Sequence, residues 1–167
     1  MLTKIANVVI TVLMIPLLLL YYRGCSWARP KAEIDVIYIS HSVFVTSPEY
    51  KIDLKHKKFW KYASSASDYV PRDPTAENEG FVFVRSLDDG KIERFRKQAA
   101  RYGLAYWKNT YKTLLDSFMF DGHVWEMQLY FSDGTQKKIY GHEAYPLIWN
   151  DMNDAFERLT GEAVLDW

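Results

Sequence analysis

The stretch VWEMQLYFSDG, residues 124–134, restricts the possible fold more than any other part of the chain. Trp125, Met127, Leu129 and Phe131 alternate with Glu126, Gln128 and Tyr130, and Asp133-Gly134 follows directly. Successive side chains of an extended chain point to opposite faces, so this pattern makes a strand with one apolar and one polar face. Asp-Gly then supplies the positive φ angles that a tight hairpin needs, and TQKKIYG is the returning strand. In YPLIWNDMNDAFERLTG, Pro146 stands near a helix start, Trp149, Met152, Phe156 and Leu159 share one stripe, and Gly161 closes the helix. The expected unit is a hairpin followed by an amphipathic helix, the apolar face of each covering the other.

Upstream, IDVIYIS and SVFVTS are rich in β-branched and aromatic residues and read as strands. Tyr50, Ile52 and Leu54 alternate with Lys51, Asp53 and Lys55, which predicts one buried and one solvated face, and KHKK marks a turn before FWKY. Ile34 to Tyr62 is therefore expected to form an antiparallel sheet of two or three strands. Residues 63–80 contain two prolines and no apolar period, which predicts a long loop whose composition favours disorder. FVFVRS returns as a strand, and Ser86 is the expected N-cap of a helix with Asp88 and Asp89 in its first turn. Ile92, Phe95, Ala99 and Tyr102 form its apolar stripe and Gly103 its stop. Trp107 and Tyr111, four apart, suggest a further helical segment leading into LLDSFMFDG.

Ile5 to Tyr22 is an uncharged run of 18 residues, the lower limit for a helix that crosses a bilayer. Pro16 inside it is tolerated in membrane helices, and Tyr21, Tyr22 and Trp27 follow at interfacial depth. A retained anchor, a cleaved signal and a lipoprotein signal ending at Cys25 compete. The retained anchor fits best, because YYRGC matches a lipoprotein signal only at Gly24-Cys25 and no small-x-small site follows the run. Arg23, Arg29 and Lys31 would hold the domain inside, but a short basic start before one apolar run is the layout of an export signal. The domain is expected outside the cytoplasmic membrane. The fold class is α+β: an N-terminal membrane helix (1–24), a connector (25–33), and one small domain (34–167) with antiparallel β-hairpins packed against two amphipathic helices.

Hydrophobic residues make up 49% and charged residues 25%, a globular balance that excludes a disordered chain. Lys plus Arg and Asp plus Glu number 21 each, so the field of the whole chain attracts neither nucleic acid nor acidic substrates. Cys25 is the sole cysteine, which leaves no intrachain disulfide and no cysteine-rich zinc site. The chain has no Gly-x-Ser-x-Gly elbow, no phosphate-cradling glycine loop and no His-Glu-x-x-His. Asp116 with Asp121, and Asp151 with Asp154, read as solvated charge. His123 and His142 depend on the hairpin register. A two-residue loop would make them diagonal neighbours on one face, and a three-residue loop would send them to opposite faces. No third and fourth ligand follow at metal-site spacing, so both read as surface or rim histidines. Neither a metal nor a cofactor is expected.

Aromatic residues reach 16%, with six Trp and twelve Tyr. Such side chains anchor interfaces, and Trp60, Tyr62, Tyr106, Trp107 and Tyr111 are candidates for an exposed partner-binding patch. Lys55, His56, Lys57, Lys58 and Lys61 surround Trp60 in sequence and are explained as a solvated turn or as a tip that touches anionic head groups. The favoured reading is a membrane-anchored, non-enzymatic binding or accessory domain that recognises another envelope component. The alternative is a small hydrolase-like enzyme whose site is not legible in sequence.

Residues 121–152, DGHVWEMQLYFSDGTQKKIYGHEAYPLIWNDM, place Asp-Gly, Trp, a strand, Asp-Gly, Gly and a Tyr-Pro step in that order. This resembles domains of unknown function in bacterial secreted or membrane-anchored proteins. The resemblance covers about a quarter of the chain and implies a small α+β domain of a bacterial envelope protein, with no activity or catalytic residue attached to it.

Overall fold

β-branched and aromatic side chains fill Ile34–Ser42, and this segment becomes β1, the central strand of a computed structural model that describes residues 32–42, 48–62, 80–113 and 122–165. Its flanking strands are β2 (Glu49–Asp53) and β6 (Val124–Phe131), both antiparallel to it. Outward from β2 come β3 (Lys58–Tyr62) and β4 (Phe81–Ser86), and outward from β6 come β7 (Gln136–His142) and β5 (Thr110–Lys112). Among the described residues these seven strands make one mixed sheet in the order β4-β3-β2-β1-β6-β7-β5, in which only β5 against β7 is parallel. The expected hairpins thus merge into a continuous sheet, because β1 pairs on both edges and carries the N-terminal hairpins into register with the C-terminal one.

Two helices, α1 (Asp89–Arg101) and α2 (Trp149–Thr160), cover one face of this sheet. Their stripes are those anticipated: Ile92, Phe95 and Ala99 from α1, and Trp149, Met152, Phe156 and Leu159 from α2, join Ile37, Ile39, Ile52, Phe59, Met127 and Leu129 in a single core. Gly103 and Gly161 follow the two helices in the left-handed conformation. The N-cap of α1 is Asp88, not Ser86: its carboxylate accepts the Lys91 N–H at 3.0 Å, while Ser86 is still paired with Lys58 in the sheet. Trp107 and Tyr111 do not lie on a helix. A single 3-10 turn, Leu104–Tyr106, ends at Trp107, and Tyr111 belongs to β5, because pairing with β7 offers this short segment more backbone hydrogen bonds than an isolated helical turn.

The β6–β7 hairpin has a three-residue loop, Ser132-Asp133-Gly134. Gly134 adopts φ 81°, its N–H donates to the Phe131 carbonyl, and the Phe131 N–H donates to the Thr135 carbonyl at 2.9 Å each. Val124 therefore faces His142 and Trp125 faces Gly141, so His123 and His142 point to opposite faces. The close approach of Trp125 to Gly141 requires glycine, since a Cβ there would sit 2.1 Å from the indole ring.

The expected anchor and connector up to residue 31, Cys25 among them, lie outside the described residues. So do most of SVFVTS, residues 63–79 of the expected loop, and Leu114–Asp121. Among the described residues no helix is long and apolar enough to cross a membrane.

Candidate binding surface

The face of the sheet turned away from the helices is built by the second set of alternating positions. Cross-strand pairing aligns Phe83, Trp60, Lys51, Tyr38, Gln128 and Lys138 in one row across β4, β3, β2, β1, β6 and β7. At the β4 end this row is apolar and open, with Phe83 51% exposed; Val82 pairs with Lys61 and points to the opposite side of the strand. Trp60 meets Phe83 edge to face with ring centres 6.3 Å apart. The ammonium groups of Lys51 and Lys58 stand 5.6 and 5.8 Å from the Trp60 ring, a geometry worth roughly 0.5–1 kcal/mol each at an exposed site. Phe81 continues the aromatic surface, edge to face with both Tyr62 at 5.6 Å and Tyr38 at 6.0 Å.

Toward the centre of this face the expected clean alternation gives way. Glu49 and Asp53 belong to the polar set of β2 but are buried. Glu49 accepts the Tyr38 hydroxyl hydrogen bond. Asp53 accepts the His56 N–H at 2.7 Å and pairs with the His56 ring at 2.8 Å, which closes the turn at residues 54–57. The basic cluster of that turn is divided. Lys55 pairs with Asp35 at 3.6 Å, Lys57 with Asp89 at 2.8 Å and Lys61 with Glu162 at 3.3 Å, while Lys58 flanks Trp60.

The five aromatic residues proposed from sequence separate into two groups. Trp60 and Tyr62 are half-buried on β3. Tyr106, Trp107 and Tyr111 lie at or next to β5, the opposite edge of the sheet. Of these, Tyr106 is exposed, whereas Trp107 is buried in the core against Trp149 and donates its indole N–H to the Tyr102 carbonyl at 3.3 Å. Tyr111 is half-buried, its ring 5.8 Å from Trp125, and burial raises its pKa. Phe83 was missed in sequence, since an edge strand rich in Phe and Val reads as core until its neighbours are known.

A second cluster lies on the helix-covered face, where β1 and β6 end together. His41 faces Trp125 across the β1–β6 ladder, stacks on Tyr50 and meets His123 edge to face at 5.6 Å. Both histidines are buried, which corrects the reading of His123 as a rim residue, and the His123 Nδ1 is 2.9 Å from the Tyr145 hydroxyl. Burial pushes the His41 pKa down to about 4, and His123 and Lys61 add to the shift. The His123 pKa is also lowered by burial, against the opposing pull of Glu143. Both rings are thus neutral at neutral pH. Among the described residues no three His, Cys, Asp or Glu side chains come together as a metal site. Comparison of the chain with protein-family models, with curated proteins and with solved structures finds no match.

Proposed function

We propose that this protein is a membrane-anchored, non-enzymatic binding module of the bacterial cell envelope, tethered through residues 5–22 and recognising another envelope component with the β3–β4 end of its open sheet face. The observation that carries this reading is the half-exposed Phe83 ring set against the half-buried Trp60 and flanked by two lysines. Rigid aromatic rings lose little rotamer freedom on binding and offer both apolar area and a face for cations, which is the composition of interface anchors. Among the described residues, His41, His123 and Tyr111, whose protonation is shifted by burial, lie away from this patch.

A photo-reactive phenylalanine analogue at position 83 is expected to give a discrete adduct in intact cells, weakened by Trp60→Ala in protein whose unfolding midpoint is known. No adduct, or an equal yield from the exposed position 108, would overturn the assignment. Placement is tested through Cys25, which is expected to react with an impermeant maleimide on intact spheroplasts. Labelling only after lysis would put the domain inside, and a mature chain beginning at lipidated Cys25 would replace the anchor with a lipoprotein.

A second reading, a hydrolase-like enzyme, is favoured by the buried His41–His123–Tyr145 cluster, since a neutral imidazole can act as a general base. Ester turnover that is lost in His123→Asn, with folding intact, would support it over the first.

A further inference from the structure

The two helices meet at Phe95 and Phe156, whose ring centres lie 4.9 Å apart. On the solvent side of this seam is a groove of about 540 Å³ with Phe95 and Leu159 in its floor and Lys91, Arg94, Lys97 and Arg158 around it. The chain carries no net charge, yet residues 91–101 of α1 hold Lys91, Arg94, Arg96, Lys97 and Arg101 against the single carboxylate Glu93. Positive charge is therefore concentrated where whole-chain composition conceals it.

Within the groove these cations are weakly committed. Lys97 pairs with Glu93 at 3.1 Å and Arg158 with Asp154 at 3.9 Å, each one turn along the same exposed helix face. Exposed pairs of this kind are readily exchanged for a ligand carboxylate. The Arg94 Nε–H donates to the Gly90 carbonyl at 3.1 Å, which orients the guanidinium without neutralising it. Glu93 and Asp154 offset two of the four cations, which leaves a local excess of positive charge that attracts anions, and guanidinium groups bind carboxylates in paired hydrogen bonds.

We infer that this groove docks an acidic peptide segment of another protein, its carboxylates held by Lys91, Arg94, Lys97 and Arg158 and its body resting on their methylene stems. A groove between two helices suits a chain-like ligand, whereas a bilayer presents a plane that would meet only the most prominent side chains. The site lies on the helical layer and is separate from the sheet face assigned above.

The test uses the full chain in phosphatidylcholine nanodiscs and a fluorescein-labelled peptide of about twelve residues, rich in Glu with interspersed Leu and comparable in length to the lining helices. Saturable binding by anisotropy is expected. Arg94→Gln with Arg158→Gln should weaken it about tenfold, while Arg101→Gln with Lys108→Gln, which removes the same charge elsewhere, should leave it within about twofold. Glu93→Gln, which releases Lys97, should tighten it. Equal losses from the two double variants would reduce the effect to net charge and overturn the site. Absence of saturable binding would also overturn it, as would binding of phosphatidylglycerol vesicles that depends on Arg94 and Arg158 while the peptide fails to bind, which would make the groove a lipid site.

Discussion

Gly141→Ala should be among the most damaging single-methyl additions in the domain. The new Cβ would lie 2.1 Å from both Cε2 and Nε1 of Trp125 and 2.5 Å from Cζ2. Carbon atoms in contact rest about 3.5–4.0 Å apart, so the indole would have to retreat by roughly 1.5 Å. It has nowhere to go. Trp125 is 1% exposed, its Nε1–H donates to the Ala144 carbonyl at 3.0 Å, and its ring lies 4.5 Å from Trp149 and 5.8 Å from Tyr111. Overpacking of a core typically costs about 1–3 kcal/mol, and loss of the buried indole hydrogen bond about 1–3 kcal/mol more. Against this, replacing glycine restricts the unfolded chain and returns about 0.4–1 kcal/mol. Sterics win, with a net loss of about 1–5.5 kcal/mol. The assay is urea unfolding of a fragment beginning at Ala32, followed by Trp fluorescence, with an unchanged m value as the sign that only stability has moved. In a Trp125→Ala background, itself about 3–5 kcal/mol less stable, Gly141→Ala should become neutral or slightly stabilising. A cost below about 1 kcal/mol in the native background, or the same cost in both backgrounds, would refute the claim that indole contact is why glycine stands here.

Asp88→Ala should cost about 1 kcal/mol through loss of the helix cap, while Ser86→Ala leaves α1 intact; the comparison is made by thermal unfolding, and equal costs would restore Ser86 as the cap. Stability should fall as pH drops from 6.5 toward 4, because His41 stays neutral in the fold down to about 4 while the unfolded chain takes up its proton near 6.5. His123, shifted in the same direction, adds to the slope, and His41→Gln should flatten the pH profile of the urea midpoint. His123→Ala should cost on the order of 1–2 kcal/mol through the lost Tyr145 contact, measured against about 0.5 kcal/mol or less for His142→Ala on the other face. Gly161→Ala should cost about 1–2 kcal/mol in chemical unfolding, because a left-handed backbone and the nearby Arg85 head both oppose a Cβ.

Local patterns were sufficient wherever the physical cause is local. Period-two alternation in residues 124–131, the three- and four-residue stripes of both helices, and the glycine stops at 103 and 161 each depend on backbone geometry within a few residues, and the α+β class follows from them. Asp133-Gly134 announced a hairpin, but its loop length rested on whether Gly134 closes the turn onto Phe131, and that choice sent His123 and His142 to opposite faces. What depended on remote pairing was not readable. His41 becomes a buried partner of His123 only because β1 lies between β2 and β6, and Trp107 and Tyr111 leave the helical pattern because β5 finds β7. Phe83 looks like core in FVFVRS, yet β4 is an edge strand and leaves half of that ring in solvent. The cations of α1 are visible as letters, but a basic groove exists only after α2 packs beside them, since burial and electrostatic potential are set by neighbours that the chain brings together from far apart.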